Sequence, residues 1–358
     1  MTVAVMRRAY RLRTTSFNRS SSRNSHVGMR TPSSTFPPKP LPVPRSDKSW
    51  PDTPDPELAP SLGSVFCVGP LGLMTKTALL FAGQGAQCVG MGKDLAERFG
   101  QARTLFDRAD ADLGCGLSRL CFEGPESELT KSEFAQPAIF LVSWIAFRLL
   151  RETVPGLEFH ATAGLSLGEF TALTAAGAMS FEDGLRVVRE RGRFMQEACD
   201  ATRGAMAAIL GLDEPAARAV CAEAGVQLAN LNCPGQLVIS GEADAVVRAC
   251  DLAKERGARR AVRLPVAGAF HSQLMAGAQS KLAAVLDAVP MIRAAVPVIA
   301  NVTAQPHGDP ESIRSRLIEQ VTGSVLWEKS IRPLLEAGFT QFIELGPGTA
   351  LTGFLRRI

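Results

Sequence analysis

From Thr77 onward, short and largely apolar runs alternate with longer segments whose apolar residues recur every three to four positions. The runs Thr77–Phe81, Phe159–Gly164 and Phe342–Leu345 end respectively in Gly83-Gln-Gly-Ala-Gln87, Leu165-Ser-Leu-Gly168 and Gly346-Pro-Gly348. Apolar strands closed by glycine turns and followed by helical patterns predict a mainly parallel sheet covered by helices, an α/β class, with backbone N–H groups gathered at the strands' C-terminal edge. Ala138–Leu150 is the longest apolar run. It includes Arg148 and falls short of the about 20 apolar residues that a membrane crossing needs, so it predicts a buried helix.

The pattern changes between about Gly204 and Leu264. It reads as strand 204–210, helix 213–224, strand 226–231, strand 236–241, helix 243–256 and strand 259–264. This βαββαβ order is the ferredoxin-like unit. The larger pattern resumes afterwards, which predicts a small subdomain at 201–265 inserted into a large α/β domain made of 74–200 and 266–358. A ligand cleft is expected between them.

Composition divides the chain. Of 358 residues, 46% are apolar, enough for a substantial core. Residues 1–73 hold 10 Lys and Arg against 4 Asp and Glu, 11 of the 23 prolines and the single tyrosine, Tyr10. They show no sustained period, and disorder is expected there. An Arg- and Ser-rich, acid-poor start resembles a transit peptide; alternatively the true start is Met74, which leads straight into the first strand and is the favoured reading. The first implies the plastid stroma, the second a bacterial cytoplasm. From Met74 onward 29 basic residues face 31 acidic ones, so bulk attraction to nucleic acid is not expected. An acidic partner would need a local patch such as Arg259, Arg260 and Arg263, or Arg356 and Arg357. The eight cysteines form no CxxC pair and have no histidine at ligand spacing, which predicts a reducing compartment and no metal site.

Gly164-Leu-Ser-Leu-Gly168 fits GxSxG, with a strand before it and a helix from about Leu167. That turn would expose the Ser166 hydroxyl above a helix N-terminus, although a helix-capping serine fits the bare pattern equally well. A serine needs a base. Of the four histidines, His26 lies in the tail, His160 in the strand before the turn and His307 in a Gln-Pro-His-Gly-Asp-Pro loop. His271 follows the insert, where the chain re-enters the large domain, and is the candidate base; a core or capping histidine is the plainer alternative. Gly83–Gln87 lacks both the Lys-Ser/Thr of a phosphate loop and a full GxGxxG. It can place the Gln84 N–H beside that of Leu167 as an oxyanion hole, or be a plain turn.

Phe181–Ala198 reads as a helix. Arg189 and Arg193 fall on its polar side, whereas Arg191 shares a face with Val187, Val188, Phe194 and Met195. An inward arginine needs an anion: either a protein carboxylate or the carboxylate of a substrate held by the guanidinium fork.

These motifs, with Arg191-Gly-Arg-Phe-Met-Gln196, Asn232-Cys-Pro-Gly-Gln236, Ala269-Phe-His-Ser272, Asn301-Val-Thr303, Glu319-Gln320 and Gly346-Pro-Gly348, resemble the malonyl-CoA:acyl carrier protein transacylase family over about residues 74–358. The resemblance implies an α/β-hydrolase-like large domain with a ferredoxin-like insert. It implies Ser166 as nucleophile, His271 as base, Arg191 on the malonyl carboxylate, Gln84 and Leu167 as oxyanion donors, and Gln320 orienting His271 in place of a triad carboxylate. Expected are coenzyme A thioesters and acyl carrier protein as partners, no cofactor, no membrane and a monomer. Many members carry His before the serine, where this chain has Leu165. A polyketide-pathway acyltransferase and a serine esterase or thioesterase are the alternatives.

Overall fold

A computed structural model describes residues 4–7 and 75–358. The large unit is built on a five-stranded sheet of order β1-β9-β2-β3-β8, where β1 is Ala4–Arg7, β2 Lys76–Phe81, β3 Ala161–Gly164, β8 Val298–Ile299 and β9 Phe339–Leu345. β9, β2, β3 and β8 run parallel. In β2, Leu79 and Phe81 enter one core with the helix Ser132–Thr153, while Ala78 and Leu80 enter the opposite one with Trp327 and Ile331. Two buried faces explain why β2 is continuously apolar from Ala78 to Phe81.

The small unit comprises β4 Gly204–Leu210, β5 Gln227–Cys233, β6 Gln236–Glu242 and β7 Arg260–Arg263, in the antiparallel order β5-β6-β4-β7. Its helices Glu214–Ala224 and Ala243–Glu255 bury Val220 and Val246 against Ala207 and Ile239. Alternate residues, Met206 and Val238, join the core of the large unit. That two-sided burial fixes register, since a slip of one residue would exchange the faces. A strap from the large unit completes the junction: the Leu231 N–H donates to the Val325 carbonyl at 2.9 Å, and the Val325 N–H to that of Ala229 at 2.8 Å.

Three expectations are revised. The disorder expected for 1–73, like the start at Met74, lies outside the described residues except at Ala4–Arg7, which form a strand antiparallel to Gln341–Glu344. The exposed backbone groups of a sheet edge can recruit four residues that carry no long pattern. β3 is shorter than 159–164: at its start the His160 N–H still donates to the Thr77 carbonyl at 2.8 Å, but the Thr77 N–H turns to His160 Nδ1 at 3.3 Å instead of to a backbone carbonyl. The helix around Ala138–Leu150 spans 22 residues, Ser132–Thr153, long and apolar enough to cross a bilayer, and most of it is buried inside the protein. It passes through Pro137, which has no N–H for the Glu133 carbonyl one turn back; Arg189 donates to that carbonyl at 2.6 Å instead.

Candidate active site

The turn between β3 and the helix Leu167–Ala175 is forced tight by contact. A Cβ on Gly168 would stand 2.2 Å from the Phe81 carbonyl oxygen, and one on Gly164 would stand 1.9 Å from the Gly168 carbonyl carbon. Gly168→Ala should therefore lower the melting temperature by several degrees and the rate with it, whereas an unchanged melt would show the turn to be slack. Ser166 sits at φ 52°, ψ −104°. Such a conformation is costly for a residue with a Cβ and is held by its surroundings. Asn301 supplies the hold: its Oδ1 accepts from the Ser166 N–H at 2.6 Å and its Nδ2 donates to the Gly164 carbonyl at 2.8 Å. Although Ser166 occupies the helix N-cap position, its side chain makes no capping bond.

Its hydroxyl instead lies 2.9 Å from His271 Nε2 and accepts from Arg191 Nη2 at 3.1 Å. His271 is buried, also at positive φ, 58°. Its Nδ1 faces two acceptors, the carbonyls of Gln320 at 2.9 Å and Gly323 at 3.2 Å. Nδ1 must then carry the proton, and Nε2 turns its lone pair toward Ser166. Burial first, then the charge of Arg191, push the His271 pKa down to about 4, against the pull of the two carbonyls.

Gln320 thus meets His271 through its backbone carbonyl. Its side chain does something else: Nε2 donates to the Ser166 carbonyl at 3.0 Å and to Glu169 at 2.7 Å, while Oε1 accepts from Arg191 at 3.0 Å. The expectation that this residue stands in for a triad carboxylate is therefore narrowed to its main chain.

Arg191 is 1% exposed on the helix Phe181–Asp200. Among the described residues its hydrogen-bond partners are neutral, Gln136 Oε1 at 2.6 Å, Gln320 Oε1 and the Ser166 hydroxyl, and its Nε has no partner. The Phe170 ring lies 5.3 Å from the guanidinium carbon. Burial lowers its pKa to about 10, offset by nearby Glu169, so it remains charged at neutral pH. Gln136 passes the arrangement on, donating to Gln84 Oε1 at 3.3 Å, and Gln84 donates to Ser132 Oγ at 2.9 Å. The Gly83 backbone packs on the Leu165 carbonyl, which an added Cβ would approach to 2.3 Å. Leu167 opens its helix, so its N–H has no intrahelical carbonyl. Leu165 packs beside the Trp327 core.

No site role was legible in the sequence for three contributors, Gln136, Glu169 and His307. The His307 side chain, expected in an ordinary turn, is buried with Nε2 2.7 Å from Glu169. A Gln beside Pro137 at the start of an apolar helix, and an acid directly after the GxSxG turn, were the available signals.

The acyl transferase domain profile matches residues 78–357. Over 290 residues the chain is 50% identical to the malonyl CoA-acyl carrier protein transacylase of Bacillus subtilis, covering 80% of this chain and 91% of that one. The acyl-carrier-protein S-malonyltransferase of Bartonella henselae superposes with a TM-score of 0.76 at 43% identity, covering 79% and 92%. A malonyl-transacylase solved with its type II polyketide acyl carrier protein gives 0.77 at 39%, covering 79% and 93%. The chain belongs to the acyl transferase family and, within it, to the malonyl CoA-acyl carrier protein transacylases.

Proposed function

We propose that the protein transfers malonyl from malonyl-CoA to the phosphopantetheine thiol of acyl carrier protein through a malonyl-Ser166 ester, supplying fatty-acid synthesis in the cytoplasm. The observation that carries this reading is Arg191: a buried cation, bonded to the nucleophile, with no carboxylate among its hydrogen-bond partners. A short acyl group ending in a carboxylate supplies the missing anion where its carbonyl meets Ser166.

In the first half-reaction Ser166 Oγ attacks the thioester carbon as His271 Nε2 takes its proton. The N–H groups of Gln84 and Leu167 are proposed to receive the oxyanion. Collapse breaks the C–S bond, and the imidazolium returns the proton to the departing coenzyme A thiolate. The carrier thiol then attacks the ester with the same base, and Ser166 is restored.

The partners of Nδ1 bear on transfer against hydrolysis. Two backbone carbonyls stabilise an imidazolium less than a carboxylate would, which leaves a weak base. A thiol with a pKa of about 8.5 needs far less help than water at about 15.7. Initial rates with malonyl-CoA varied at several carrier concentrations should give parallel reciprocal lines. Intersecting lines, or malonate release as fast as transfer, would refute the scheme. A polyketide carrier as acceptor is a second reading, favoured by the similarity to the type II polyketide transacylase; rates on carriers of the two kinds distinguish them.

The depressed His271 pKa also sets pH behaviour. The base is neutral above about pH 4, so Ser166 acylation should hold its plateau to about pH 5 and fall through about 4, not through the ordinary 6.5. The unfolded chain takes up the proton that the folded site refuses. Stability from this group is therefore complete above about 6.5 and is lost as pH falls toward 4. Stopped-flow acylation followed from about pH 3.5 to about pH 8 brackets both values and checks the first claim; an acid limb centred near 6.5 would contradict it.

A further inference from the structure

A carboxylate and a guanidinium, Glu169 at 0% exposure and Arg191 at 1%, share this core. They sense one another, since Glu169 favours the charged form of Arg191, yet they form no ion pair. Buried opposite charges ordinarily gain by contact. Here the lone pairs of Glu169 are engaged elsewhere: Oε1 by His307 Nε2 at 2.7 Å, Oε2 by the Asn301 N–H at 2.9 Å and by Gln320 Nε2 at 2.7 Å. Gln320 turns its other end, Oε1, to Arg191 at 3.0 Å. One side-chain amide thus stands between the two charges. The loop carrying His307 is tied to β8 by its N–H, which donates to the Val298 carbonyl at 2.8 Å, and His307 Nδ1 is buried without a partner.

We propose that His307 is a positioning residue for acyl selectivity: it holds the Glu169 carboxylate on the far side of the Gln320 amide, which keeps the Arg191 charge free for the carboxylate of the acyl group. The inference rests on the reading that Arg191 receives the malonyl carboxylate. Without the His307 donor, Glu169 Oε1 is left unpaired in a buried site that also holds an unpaired donor among the described residues, Arg191 Nε. The carboxylate then competes with substrate for the guanidinium. An uncharged acyl group feels no such competition.

The test is kcat/KM for malonyl-CoA and acetyl-CoA on the parent and on His307→Leu, His307→Gln, Glu169→Gln and the double variant Glu169→Gln/His307→Leu. His307→Leu should lose malonyl transfer by roughly 10- to 100-fold, mainly in KM, and leave acetyl transfer within about 3-fold. His307→Gln keeps an N–H donor and should recover most of the loss. Glu169→Gln removes the competing charge. Its new NH2 can face His307, which accepts through Nε2 once its proton moves to the partnerless Nδ1, so malonyl preference should stay within about 3-fold of the parent. For the same reason the double variant should lose far less malonyl transfer than His307→Leu alone. Equal losses for the two substrates in His307→Leu, a double variant as impaired as that single one, or a collapse of malonyl preference in Glu169→Gln would each overturn the proposal. If His307→Leu does not fold, His307→Met, which also lacks a donor for Glu169 Oε1, takes its place under the same criteria. A parent that does not prefer malonyl over acetyl would instead refute the role of Arg191, and is read separately from the variant-to-parent ratios.

Discussion

Replacing Ser166 or His271 with Ala should each reduce turnover by about 10⁴- to 10⁶-fold, and replacing both should do little more. The reason is geometric. Ser166 Oγ and His271 Nε2 are 2.9 Å apart, and Nδ1 is committed to two carbonyls, so neither residue does chemistry without the other. Steady-state rates on the two single variants and the double variant check this. Losses that multiply would show that the pair does not act as a unit.

Arg191→Ala should lose about 10²- to 10³·⁵-fold in kcat/KM for malonyl-CoA, the equivalent of about 3–5 kcal/mol for removing one partner of a buried charged pair. Acetyl-CoA should be spared or improved, since it leaves no guanidinium unpaired in the pocket. Arg191→Lys should recover only part, because an ammonium at the end of a flexible stem cannot bridge Gln136, Gln320 and the acyl carboxylate as the planar fork does. A second signature concerns pH. Arg191 is one of the causes that depress His271, so without it the acid limb of acetyl transfer should move up toward the ordinary histidine range. Equal losses for the two acyl groups, with the acid limb unmoved, would show that Arg191 merely holds the helices together.

How much of this was legible depends on the range of the interactions. The small unit could be read element by element, because its strands alternate and its ends carry local signals: the Asp213 side chain accepts from the Ala216 N–H at the start of one helix, and Gly225 closes it at φ 72°. The inward face of Arg191 followed from helical spacing alone. β8 was not legible, being two residues long and defined only by its partner β3, and neither was the strap at Val325. The polar network behind Ser166 joins Gln136, Glu169, Arg191, Asn301, His307 and Gln320, residues brought together from separate segments by the fold. No local pattern encodes such contacts. Even for Gln320, singled out by resemblance, nothing in the chain foretells that its carbonyl meets His271 while its amide separates two charges.

The central claim is a covalent malonyl-serine at the strained turn, and intact-mass spectrometry after brief mixing with malonyl-CoA tests it most directly. The parent should gain one malonyl group, located at Ser166 by peptide mapping and discharged by the carrier thiol, and Ser166→Ala should gain none; an adduct that persists on Ser166→Ala, or one the carrier thiol cannot discharge, would contradict the account.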